Sequence, residues 1–182
     1  MLSIKINGGE EYNPKTREFI QVKDTVLSLE HSLVSISKWE AKWHKPFISK
    51  VDKTYEETID YIKCMTITQN VDPNVYTLLT QEHLNQIKDY MQDSMTATWF
   101  NESKNAPGRR GSEQITSELI YYWMVALQIP FECQKWHLNR LLTLVRICNI
   151  KNQPSKKQSK REVMSKNAAL NAARRKSLGT SG

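Results

Sequence analysis

The stretch Thr116–Lys151, TSELIYYWMVALQIPFECQKWHLNRLLTLVRICNIK, is the most apolar run of the chain and decides how the rest is read. Its spacing predicts two helices joined at Ile129-Pro130-Phe131. Thr116 or Ser117 can cap the first, with a hydroxyl accepting from the orphan N–H groups of the opening turn. Glu118 sits in that turn, where the helix dipole favours an acid. Leu119, Tyr122, Trp123 and Ala126 recur at helical spacing. Ile120, Met124 and Leu127 widen the apolar wall, so this helix is expected to be buried on most sides. Pro130 brings no N–H and biases Ile129 toward an extended conformation, which breaks the ladder. The second helix is expected from Phe131 or Glu132 to Cys148, with Leu138, Leu141, Leu142, Val145 and Cys148 in one stripe. A short hinge favours an antiparallel pair, and this pair is the expected core.

A chain of 182 residues suits one main domain with an appendage. The net charge of +7 is unevenly spread. Residues 151–182 hold nine Lys and Arg against Glu162 alone, a net of +8, and residues 1–150 hold 17 basic against 18 acidic side chains, a net of −1. The basic character therefore belongs to a tail and the body is close to neutral. No apolar run approaches the roughly 18 residues of a spanning helix, so no membrane contact is expected. The opening Met1-Leu2-Ser3-Ile4-Lys5 lacks the apolar core and cleavage site of a signal peptide. Cys64, Cys133 and Cys148 are odd in number and lie in helix-like patterns, as reduced thiols do.

Leu2–Ile6 alternates like a half-buried strand, Asn7-Gly8-Gly9 and Asn13-Pro14 are turn signals, and Arg17–Val22 reads as a second strand pairing with the first. Val26, Leu27 and Leu29 extend a third. Leu33, Ile36, Trp39 and Trp43 then take helical spacing up to Pro46, with the two indoles one turn apart as a cap on the core. Thr54 and Glu57 form a capping box. Asp72-Pro73 starts a short helix over residues 74–79. Thr80 caps another, carrying His83, Leu84, Ile87, Lys88 and Met91. Met95–Phe100 has strand-like composition, and 101–111, with Arg109 and Arg110, is a polar loop expected to be mobile. Residues 153–158 read as a linker. Ser159 and Glu162 form a second capping box, and Gly179 is the helix stop. The helix between them is rich in alanine and poor in large apolar residues, so it is expected to order against a partner.

Catalytic candidates are few. Cys133 and His137 stand four apart and would share a helix face, as a thiol beside its base does. A closed zinc site needs four ligands, and no second pair is spaced for it. The six glycines form no phosphate-binding loop. No carboxylate pair sits in opposed environments. Packing with a capping or surface hydrogen bond is the preferred reading of Cys133 and His137. The chain reads as a non-enzyme with no metal and no cofactor.

Partner contact is placed on Lys156, Lys157, Lys160, Arg161, Lys166, Arg174, Arg175 and Lys176 of the tail, and on Arg109 and Arg110. Such charges also bind nucleic acid in a salt-sensitive way. No aromatic residue follows Trp136, however, so a base-stacking platform is not expected and protein contact is favoured.

The segments ITSELIYYWMVALQIPFECQKWHLNRLLTLVRICNIKN and SKREVMSKNAALNAARRKSLGTSG, with SLVSISKWEAKWHKPF and IKCMTITQNVDPNVY, resemble tail assembly chaperones of long-tailed double-stranded DNA bacteriophages. The resemblance covers most of the chain and implies a non-enzymatic role in the host cytoplasm. The implied partners are the phage tape measure protein and the tail tube protein. Self-association stays open, as do a structural place in the virion tail or head–tail junction and a nucleic-acid-binding accessory role. The expected fold is mainly α (α+β). Residues 1–150 form a helical core domain with an N-terminal β hairpin, and 151–182 form a linker and a basic helical arm.

Overall fold

Ile4 and Ile6 are buried while Ser3 and Lys5 face water, the period-two pattern of a strand with one wet face. The computed structural model describes residues 1–13, 18–49, 51–100, 114–152 and 160–179, with only the backbone for 11–13, 18, 160–163 and 166. Strand β1 (Leu2–Ile6) runs antiparallel to β4 (Thr25–Leu29), Ile4 facing Leu27. Between them β2 (Gly9–Asn13) pairs with β3 (Glu18–Val22), Gly9 facing Val22. The expected pairing of Leu2–Ile6 with Arg17–Val22 is thereby corrected. One register runs through both pairs, so the four strands form a single interrupted ribbon. Gly8 sits at the interruption, where a Cβ would lie 2.2 Å from the Val22 carbonyl oxygen. Its N–H donates to Asp24 Oδ1 at 2.8 Å. The Asn7-Gly8-Gly9 signal thus marks a close backbone approach and not a chain reversal.

The outer edge of β4 is covered by residues 65–68. Glu30 N–H donates to Met65 O at 2.9 Å, Ile67 N–H to Ser28 O at 2.8 Å, and Ser28 N–H to Thr68 Oγ1 at 2.8 Å. That edge is therefore not open to another chain.

Helix α1 (Leu33–Trp43) is the hub of the larger unit, packing against α2 (Tyr55–Met65), against α4 (Ser117–Ala126) and against a 3-10 helix at Phe131–Lys135. Ser32 caps it, its Oγ accepting from Ser35 N–H while Ser35 Oγ accepts from Ser32 N–H. Leu33, Ile36 and Trp39 are fully enclosed. The Trp39 indole N–H donates to Glu57 O at 2.9 Å, and Trp43, stacked on Trp39, donates to Asp60 Oδ2 at 2.9 Å. The tryptophan pair thus caps the core from one helix face.

The expected caps of α2 and of α3 (Gln81–Gln92) are present at Thr54 with Glu57 and at Thr80. Asp72-Pro73 opens a 3-10 helix, Pro73–Leu78. Residues 95–100 form no strand, and Trp99 stands 93% exposed.

The two helices expected from Thr116–Lys151 are corrected in three ways. Helix α4 begins at its Thr116 cap but is buried on one side only, through Ser117, Ile120 and Met124, with Tyr122 and Val125 exposed. It ends before Pro130 because Gln128 takes the left-handed conformation (φ 54°), with Ile129 N–H bonding Met124 O and Gln128 N–H bonding Val125 O. That is a Schellman ending with glutamine where glycine is usual. The second helix is split. A 3-10 turn over Phe131–Lys135 and an extended Trp136 precede α5 (Leu138–Asn152), where Leu138, Leu141 and Val145 are buried. Helix α4 packs chiefly against α1, so the core is centred on α1 and the ribbon and not on an α4–α5 hairpin.

The chain divides into two compact units, Met1–Asn149 and Ile150–Gly182. The second is built on α6 (Lys160–Leu178), which stops at Gly179 with φ 62°. Glycine enters that left-handed position without a Cβ penalty. The fold is mainly helical with a small β component. No helix among the described residues is long and apolar enough to cross a membrane.

One carboxylate ties three of these pieces together. Glu40 is 7% exposed, its Oε1 accepts from Phe47 N–H at 2.7 Å, and its Oε2 accepts from Ser117 N–H at 2.7 Å. An amide at this position keeps one acceptor and turns a donor toward the other N–H. Glu40→Gln is expected to lower stability by about 2 kcal/mol, the cost of one buried unsatisfied donor, in urea unfolding followed by circular dichroism.

Candidate functional site

The residues singled out for chemistry meet inside the larger unit. His137 precedes α5 and is 6% exposed. Its Nε2 lies 3.0 Å from the Tyr90 carbonyl oxygen, which can only accept, so this nitrogen carries the proton. Its Nδ1 accepts from Asn139 N–H at 3.3 Å, in the first turn of α5. Asn139 Nδ2 donates to Met91 O at 3.1 Å and to Asp93 O at 2.6 Å. Together the two side chains bond the carbonyls of Tyr90, Met91 and Asp93 at the end of α3. His137 is thus a double cap joining α3 to α5. Both of its nitrogens are engaged away from Cys133, which is itself buried. A proton transfer between them would first have to break one of these bonds. The shared helix face is also absent, since Cys133 lies in the 3-10 turn and His137 beyond it.

His31 packs edge-on against His137 with ring centroids 5.2 Å apart. Its Nδ1 lies 2.5 Å from the Tyr61 hydroxyl, which is also 3.3 Å from Ser35 Oγ. Burial, with His137 adding to it, pushes His31 down to about pKa 3. Burial likewise drives the Tyr61 hydroxyl well above the usual phenol range. Tyr90 donates to Glu30 Oε1 at 2.6 Å, and burial followed by this bond raises its pKa too. The cluster is an enclosed polar layer that fixes geometry. Among the described residues no group of three His, Cys, Asp or Glu is placed to hold a metal ion.

The residues expected to contact partners fall into three groups. Arg109, Arg110, Lys156 and Lys157 lie outside the described residues, as do the 101–111 loop, the 153–158 linker and Ser159 of the second capping box. Lys160, Arg161 and Lys166 belong to α6, with only their backbone described, and Arg174, Arg175 and Lys176 in its last turns are exposed. Among the described residues of α6 the large apolar side chains are exposed: Met164 is 72% exposed and Leu178 74%.

A surface that the periodicity of α4 concealed lies on the body. Tyr122 and Val125 are 65% and 60% exposed one turn apart, and Phe131 is 52% exposed with its ring 6.4 Å from Tyr121. An apolar wall all around a helix reads as burial, and only the packing shows which side lacks a neighbour. The Lys53–Lys88 cleft described below was equally hidden, because its residues are distant in sequence.

Compared with protein-family profiles, with curated proteins and with solved structures, the chain matches none.

The His31 layer makes an acid-side prediction. Folding holds His31 below its unfolded value of 6.5, so the unfolded chain binds the extra proton. The contribution is full above pH 6.5 and is lost as pH falls toward 3. Urea unfolding at pH 7, 5.5 and 4.5 is expected to show a loss on the order of a few kcal/mol in the parent chain. The His31→Gln variant is expected to lose measurably less over the same range, and parallel pH curves would refute the assignment.

Proposed function

We propose that this chain is a non-enzymatic factor of phage tail morphogenesis that acts as a tail assembly chaperone. Its clients on this reading are the tape measure protein and the tail tube protein, bound in the host cytoplasm. The resemblance of the four quoted segments supports it. The observation that carries it is the α4 face, where Tyr122 and Val125 lie exposed on a helix whose only charge is Glu118. Exposed aromatic and aliphatic groups on one helix face suit the capture of an amphipathic helix. The basic helix α6 supplies a second kind of contact, for acidic stretches of the same clients. Virion structural protein is the rival, and so is a nucleic-acid accessory that uses the cations of α6.

Co-expression pull-down with the tape measure protein is the direct test. The parent chain is expected to retain the client, and Val125→Asp to weaken capture at least tenfold, about 1.4 kcal/mol. Because Val125 is exposed, the unfolding midpoint should not move. Deletion of 156–182 is expected to reduce capture further. Undiminished capture by both variants would sink the proposed surfaces, and a stoichiometric signal for this chain in purified virions would favour the structural rival.

A further inference from the structure

A cleft of about 340 Å3 opens between α2, α3 and the residues Phe47 and Lys53. Its apolar lining comes from three places. Phe47 stacks on Tyr61 with ring centroids 4.0 Å apart, and Ile62 completes this side. Leu84, Ile87 and Met91 stand at i, i+3 and i+7 of α3 and line the other. Phe47, Tyr61, Ile62 and Ile87 are nearly fully buried, so the floor is rigid.

The charges at this cleft have one sign. Lys53 and Lys88 line it, and no carboxylate does among the described residues. The other polar lining groups are hydroxyl and amide. Lys53 Nζ donates to Phe47 O at 2.8 Å and sits 4.3 Å from the Phe47 ring centroid, held over the apolar floor. Among the described residues no carboxylate reaches it within ion-pair distance. Glu57, the nearest buried acid of α2, pairs instead with Lys45 at 2.5 Å. Burial pulls the Lys53 ammonium below the usual lysine range, against an opposing pull from Glu57 and Asp52. A half-desolvated cation beside an apolar floor is stabilised by an anion that brings its own apolar body.

We propose that the cleft between α2 and α3 binds a small amphipathic carboxylate, an alkyl chain of about ten carbons whose head group is held by Lys53 and Lys88. Leu84 to Met91 gives an apolar wall of about 10 Å along α3, at roughly 1.5 Å per residue, which suits an extended alkyl chain of that order. The cleft volume lies in the range of preformed small-molecule sites, which pair an apolar lining with a few placed polar groups. The site is independent of the α4 face and of the client reading. It gives the body a ligand specificity of its own, for monocarboxylates over alcohols and cations of equal length.

The test is a titration of the full 15N-labelled chain with sodium decanoate, decan-1-ol and decyltrimethylammonium, read by amide shifts. Decanoate is expected to saturate, with shifts concentrated at Phe47, Lys53, Thr58, Leu84 and Lys88. Decan-1-ol should bind at least tenfold more weakly, and the cation should leave these amides unmoved. Lys88→Glu, an exposed change that preserves the fold, is expected to weaken decanoate at least tenfold. Lys53→Met should do the same, with its unfolding midpoint recorded because the bond to Phe47 is lost. Equal affinity for decanoate and decan-1-ol, lysine variants that bind like the parent, or shifts centred on Tyr122 and Val125 would each overturn the proposal. So would shifts that never saturate.

Discussion

The Glu40 carboxylate is the constraint on which the larger unit depends. Burying an ion is costly unless each oxygen finds donors, and here each finds a backbone N–H. One comes from the segment after α1 and the other from the first turn of α4, where the helix dipole adds to the attraction. The bond thus fixes where α4 begins and which of its sides meets α1. The placement of Ile120 and Met124 in the core follows, and so does the exposure of Tyr122 and Val125. The outward face of α4 is therefore a product of how the helix is anchored at its start.

The polar layer of His31, His137, Tyr61 and Tyr90 plays the corresponding role on the other side of α1. Its members are buried, yet each finds a polar partner inside the unit. Fully satisfied networks of this kind specify a single arrangement where an apolar core would tolerate several. They hold α3 against the start of α5, and α3 in turn forms one wall of the lysine-lined cleft. The cleft owes its shape to this fastening and to the Phe47–Tyr61 ring pair, over which the Lys53 ammonium is held.

Local signals in the sequence were readable where the physics is local. Thr54 with Glu57, Thr80, Asp72-Pro73, Thr116 and Gly179 all mark element ends that the structure contains. The Ser32–Ser35 cap was missed because serine at its third position lacks the acid or amide that signals a capping box. Strand β2, GEEYN, has no apolar alternation and is a strand only because β3 lies opposite. Cys133 and His137 were visible as a pair, but the role of His137 depends on the carbonyl of Tyr90, 47 residues away. The hub position of α1 was hidden for the same reason. Its stripe resembles any amphipathic stripe, and only the tertiary arrangement shows how many neighbours share it.

The fastening of α3 has a consequence for synthesis on the ribosome. Its terminal carbonyls wait for side chains 46 to 48 residues downstream, and Glu40 waits 77 residues for Ser117. The ribbon, α1 and α2 can assemble early, since their contacts are shorter in range. Until Asn139 has emerged, Glu40 lacks the Ser117 N–H and the end of α3 lacks its side-chain donors.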